Sequence, residues 1–132
     1  LMRDNQKHAL PLRLQAYERL TLFLERINLT KLLIRISPIS NQKHDYENFV
    51  IDQIEQEFEH NLTQQIYITD ESWTMILTAK NTIIQTIRKT ALDETVTDAD
   101  KLREKVLSSL LESDSASVIA ISYLKKEVSQ IL

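Results

Sequence analysis

The chain has 132 residues, 42% of them hydrophobic and 27% charged, and a net charge of -3; that suffices for one domain with a core and is too little for two. The acidic balance offers no footprint for nucleic acid, whose binders carry a basic face. Cysteine and glycine are both absent, which excludes disulfides, thiolate zinc sites and every phosphate loop that needs glycine dihedrals.

With no glycine and two prolines, hairpins are disfavoured and helices are the natural reading. Residues 1–9 are polar with little periodicity. Pro11 disfavours helical geometry at Leu10 and is welcome in a first turn, so helix one is expected to start there. Its apolar stripe is Leu10, Leu14, Tyr17, Leu20, Leu24 and Ile27, widened by Leu12, Ala16 and Phe23. Asn28 reads as a left-handed terminator. Thr30 caps a short helix over 31–36, which ends at Ser37-Pro38, and 37–44 is the most loop-like segment. Helix three is expected over 45–65.

Helix four has the clearest start: Thr69 at the N-cap, Asp70 and Glu71 in the first turn, and Ile68 with Trp73 as a hydrophobic staple. Its stripe is Trp73, Ile76, Leu77, Ile83, Ile84, Ile87 and Ala91. After a connection at 92–96, Thr97 with Asp100 resembles a capping box opening helix five, whose stripe is Ala99, Leu102, Val106 and Leu110. Ser113-Asp114-Ser115 separates it from helix six, where Ile121, Leu124, Val128 and Ile131 share a face. Val118, Ile119 and Tyr123 make that helix apolar on a second side, which marks either a central position or a partner surface. The fold class is therefore all-α, a bundle of five to six helices with short connections.

Several polar residues fall on apolar stripes. Projected at about 100° per residue, Arg13 lies between Leu20 and Leu24, and Lys80 between Leu77 and Ile83. The stripe Val50, Ile54, Phe58 continues as Asn61 and Gln65, with Glu47 in the same direction. Long cationic side chains ordinarily snorkel at a bundle edge, and amides near helix ends bond to loop backbone. The sharper expectation is one internal polar cluster in which Arg13 or Lys80 pairs with Glu47 or Glu57 while Asn61 and Gln65 satisfy the rest. Arg13 is expected to reach a side chain or carbonyl of the 59–68 region.

Glu57 and His60 stand at the Glu-x-x-His spacing of di-metal bundles, but neither His8 nor His44 has a glutamate three residues before it, so half the ligand set is missing. Asn28-Leu29-Thr30 and Asn61-Leu62-Thr63 match the glycosylation sequon by chance. Neither a cofactor motif nor a nucleophile elbow is present, the latter because it requires glycine.

Residues 10–20 with 24–27, and residues 57–68, resemble an uncharacterised family of small helical proteins of Bacteroidota whose members carry one N-terminal transmembrane helix. The resemblance implies that residues 1–10 are a juxtamembrane linker, while length and periodicity make 11–132 a single helical domain. The chain opens on Leu1-Met2, so either it is a fragment of a longer protein or a cloning remnant precedes Met2. Arg3 and Lys7 fit a cytoplasmic side of a bacterial inner membrane, diluted by Asp4. No cofactor, metal or functional residue comes with the resemblance. The expected role is a non-enzymatic interaction or scaffold domain that meets a protein partner or self-associates through Val118, Ile119 and Tyr123. It would meet the membrane only through an anchor ahead of residue 1. The alternative is a ligand-binding or catalytic bundle built on Arg13, Asn61, Gln65, Lys80, Glu47 and Glu57.

Overall fold

The computed structural model describes the backbone at 2–113 and 115–132, and side chains at 8–109 and 116–132. Six α-helices and one 3-10 helix follow in order: α1 (Met2–Ile27), α2 (Leu29–Arg35), α3 (Lys43–His60), the 3-10 helix (Leu62–Tyr67), α4 (Asp70–Ala91), α5 (Ala99–Ser113) and α6 (Ser115–Ile131). Among the described residues there is no strand. α6 lies along α4 and α1; α3 packs on α4 and α5; α2 crosses between α1 and α5. One continuous core joins them, with Tyr17, Leu20 and Leu24 of α1, Leu32 of α2, Ile54 of α3, Ile76 of α4, Leu102 of α5 and Leu124 of α6 at its centre.

Helix one begins nine residues before the expected start. α1 runs unbroken through Pro11, whose ring is exposed, so the lost amide hydrogen falls on the solvent side and costs one hydrogen bond rather than the helix. Leu12, expected to widen the apolar stripe, is 47% exposed.

Asn28 does not terminate α1 in a left-handed turn. Its φ is -52°, and no described residue has positive φ. Instead it caps α2: its Oδ1 accepts from the Lys31 amide at 3.4 Å, and its Nδ2 donates to the buried Ser117 Oγ of α6 at 3.1 Å. Thr30 lies inside the helix it was expected to cap.

α3 starts at Lys43 and stops at His60, five residues short of the expected end. Asn61 closes it, with Nδ2 donating to the Glu57 carbonyl at 2.9 Å, and the chain tightens into the 3-10 helix. Tightening from about 100° to about 120° per residue rotates everything downstream of Asn61 out of phase with the α3 stripe.

α4 begins as expected: Thr69 Oγ1 accepts from the Ser72 amide at 3.1 Å, and Ile68 is buried. α5 is capped one residue later than expected, by Asp98, whose Oδ1 accepts from the Lys101 amide at 2.8 Å. Thr97 Oγ1 accepts from Lys101 Nζ instead. The side chains of Arg3, Asp4, Lys7, Leu110, Ser113 and Ser115, and all of Asp114, lie outside the described residues.

Candidate functional site

The six residues of the expected internal cluster are not brought together. Arg13 is half-buried, and its Nε donates to the Tyr67 carbonyl at 3.3 Å, the end of the 3-10 helix. Lys80 is buried, yet its partner is Glu55, at 3.2 Å, with Nζ 4.0 Å above the Phe58 ring. Glu57 holds Arg26, which donates through Nε at 2.9 Å and Nη2 at 2.7 Å; Arg35 stands at 3.6 Å from the same oxygen. Glu47 is buried and accepts from Arg88 Nη1 at 3.0 Å, with His44 Nδ1 at 2.7 Å. Gln65 is exposed and bonds only to the Leu62 carbonyl. Only the Asn61 bond to the Glu57 backbone joins two of the six. The Glu57 carboxylate is turned to guanidinium groups, so the Glu57–His60 pair is not poised for a metal.

Several of the other long polar side chains close helix ends. The last carbonyls of a helix have no partner within it, and glycine, the usual residue for turning them inward, is missing here. Arg103 of α5 donates to the Leu33 carbonyl at 2.8 Å and to Ile34 at 3.3 Å, sealing α2. Tyr46 Oη donates to the Ile36 carbonyl at 2.7 Å, and Arg35 Nη2 to the Arg26 carbonyl at the end of α1. Lys43 Nζ donates to the carbonyls of Asp93 and Val96 in the α4–α5 loop. Arg13 joins this set. Among the described residues, no buried side-chain nitrogen or oxygen lacks a partner.

A second polar group was missed by the helical projection. Glu127 of α6 accepts at Oε1 from Thr69 Oγ1, 2.9 Å away, and lies 3.4 Å from Ser72 Oγ. Ser72 is fully buried, with Tyr17 Oη at 3.3 Å. This chain fastens α6 and α1 to the positive end of α4. Tyr17 falls on the apolar stripe of helix one by sequence, and the sole sequence signal for Ser72 is that it stands one helical turn inside a strong cap. Tyr123 stands beside Glu127: partial desolvation, then that carboxylate, raises its phenol above the ordinary 10.0.

On the outside, Val118 and Ile119 are exposed side by side on α6 (53% and 55%), whereas Tyr123 is half-buried. The other notable surface is a groove of about 290 Å³ between α1 and the end of α3, formed by Arg19, Leu22, Phe23, Arg26, Glu57, His60 and Asn61.

A model of a family of unknown function, DUF7935, matches residues 1–131. The chain belongs to that family. No curated protein and no solved structure matches this DUF7935 chain. The family carries no stated activity, so the residues themselves are the guide to its chemistry. In this DUF7935 domain the inward polar groups bond to backbone and to one another.

Proposed function

We propose that this domain is a non-enzymatic interaction or scaffold module that meets a protein partner through its exposed apolar surface. One observation carries the reading: large apolar residues are left outside, Val118 beside Ile119 on α6, Leu12 and Leu22 on α1, and Leu62 and Ile66 on the 3-10 helix, while the inward polar side chains are engaged in helix ends and pairs. Grouped exposed apolar residues are the usual mark of a surface that is covered in use.

Location at the cytoplasmic face of a bacterial membrane belongs to the same proposal, supported by the resemblance of 10–27 and 57–68. None of the helices, within the described residues, is long and apolar enough to cross a membrane, so the attachment would come from outside this domain. Fractionation of the full-length protein in its own cells tests that part.

A photo-crosslinker placed in turn at positions 22, 66 and 119, with position 78 on the exposed polar face of α4 as control, tests the interaction. The expected result is a discrete adduct from at least one apolar position and none from position 78. The adduct's partner, once purified, should bind the domain alone. Equal labelling from all four positions, or none from any, would refute the reading.

A further inference from the structure

We infer that the groove between α1 and the end of α3 docks an acidic, amphipathic helix of a protein partner. This rests on the interaction reading above and adds the site and the chemistry of the occupant.

The groove is cationic on an acidic protein. Three guanidinium groups, Arg19, Arg26 and Arg35, stand in or beside it. Its one carboxylate is Glu57, which is only 20% exposed and already engaged by Arg26 and Arg35. That leaves a local excess of two positive charges on a chain whose net charge is -3. Arg26 and Arg35 remain 47% and 38% exposed while holding Glu57, so both keep donors to offer. Arg19 is exposed and makes no ion pair among the described residues. Of the neighbouring acids, Glu18 is exposed beside Arg19 and Leu22 and lowers the excess to one positive charge; Glu59 lies about 160° round α3 from Glu57, two residues on at 100° each; Glu25 is engaged by Lys31. Charge complementarity of this kind selects carboxylates and steers their approach.

The face is long enough for a helix. On α1 the exposed residues Leu12, Gln15, Arg19, Leu22 and Arg26 recur at alternating steps of three and four, one continuous flank along which a second helix can lie. Leu22 is 59% exposed above the buried Phe23 floor, a seat for one large apolar side chain. Towards the N-terminus this flank runs on to Leu12, on the side of α1 that meets the 3-10 helix, where Leu62 (41% exposed) and Ile66 (73%) also stand open. A matching segment carries an apolar ridge with glutamates or aspartates beside it, facing Arg19 and Arg26. No sheet edge exists among the described residues to receive an extended strand.

The site carries its own reporter. Phe23 lies 5.9 Å from Phe58, and Phe58 stacks on Trp73, the only tryptophan, at 5.5 Å. The test uses three probes: a designed helical peptide with a leucine ridge flanked by glutamates, the same peptide with lysines for glutamates, and phosphatidylglycerol vesicles. Trp73 emission and calorimetry are the readouts.

Saturable binding of the glutamate peptide alone is expected. It should weaken about tenfold or more in Arg19→Glu, as for an interface charge reversed. It should also weaken as salt rises from about 0.05 to about 0.5 M. Thr78→Glu, on α4, should leave it unchanged. Arg19 makes no hydrogen bond or ion pair among the described residues, so the fold of Arg19→Glu should match the parent by circular dichroism. Equal binding of the lysine peptide, binding indifferent to Arg19→Glu, or binding of vesicles in place of peptide would overturn the inference. So would a dimer of this chain that Arg19→Glu dissociates. If the peptide fails while position 119 still yields its adduct, the groove falls and the interaction reading stands; if the peptide fails and positions 22, 66 and 119 all yield no adduct, both fall.

Discussion

Arg103→Met is the sharpest probe of how this glycine-free chain ends its helices. Methionine keeps most of the apolar stem and removes the guanidinium that seals α2. The bond to the Leu33 carbonyl, at 2.8 Å and partly buried, comes from a charged donor and is worth about 1.5–2 kcal/mol. The bond to Ile34, at 3.3 Å and exposed, adds about 0.5 kcal/mol. A cation at a helix C-terminus contributes about 0.3–1 kcal/mol further. The loss should therefore be about 2.3–3.5 kcal/mol, or a fall in Tm on the order of 10 °C for a domain of this size. Urea unfolding followed by Trp73 emission and by helical circular dichroism measures it, and the two probes should coincide with an unchanged m value. Arg103→Lys, which keeps the charge and loses the fork, should lose roughly half as much. If Arg103→Met lies within about 0.5 kcal/mol of the parent, the range of an ordinary surface substitution, the helix-end account is wrong.

Thr69→Ala removes both the cap on the Ser72 amide and the donor to Glu127; a loss of about 2 kcal/mol is expected, and Thr69→Ser should restore most of it in the same urea experiment. Lys80→Met should change stability by no more than about 1 kcal/mol, because the lost contacts to half-exposed Glu55 and to Phe58 are offset by ending the desolvation of the ammonium. Lys80→Glu should be far more damaging, and similar losses for the two would refute this balance. Burial raises the Tyr46 phenol above 10.0, partly opposed by Arg103. Its neutral form is the one the fold favours, so this stabilisation is full below 10.0 and is lost as pH rises past that value through the raised one. Stability measured across that alkaline window should fall less steeply in Tyr46→Phe than in the parent.

Local signals were legible and tertiary ones were not. Thr69, Asp70 and Glu71 announce α4 because a cap bonds within its own first turn. Asn28 and Asp98 are the same chemistry, read on the wrong side of a boundary or one residue early, since a short polar side chain marks a break without saying which helix it serves. Gln65 failed for a different reason. Four residues at about 120° instead of about 100° displace it by about 80°, and nothing between Asn61 and Tyr67 announces that change of pitch. Arg13 stood out because it interrupts an apolar arc. Arg103 and Lys43 did not, because the carbonyls they serve, at 33–34 and at 93 and 96, are distant in sequence. The Tyr17–Ser72–Glu127 chain was hidden because its members come from three helices and one of them passes for apolar.

The distant closure of the helix ends bears on how the molecule comes apart. A glycine cap forms within its own helix and survives when that helix undocks. Here the ends of α2 and of the 3-10 helix are closed by donors 70 and 54 residues away, which are absent until the helices have assembled. Each helix in this set takes part of its terminal closure from a neighbour, so partial unfolding frays the last turns of its neighbours too. The bundle should open as one unit, its amides at residues 30–36 and 62–67 exchanging hydrogen together with the core rather than ahead of it. Closing contacts of such long sequence separation also favours late formation of these ends during folding.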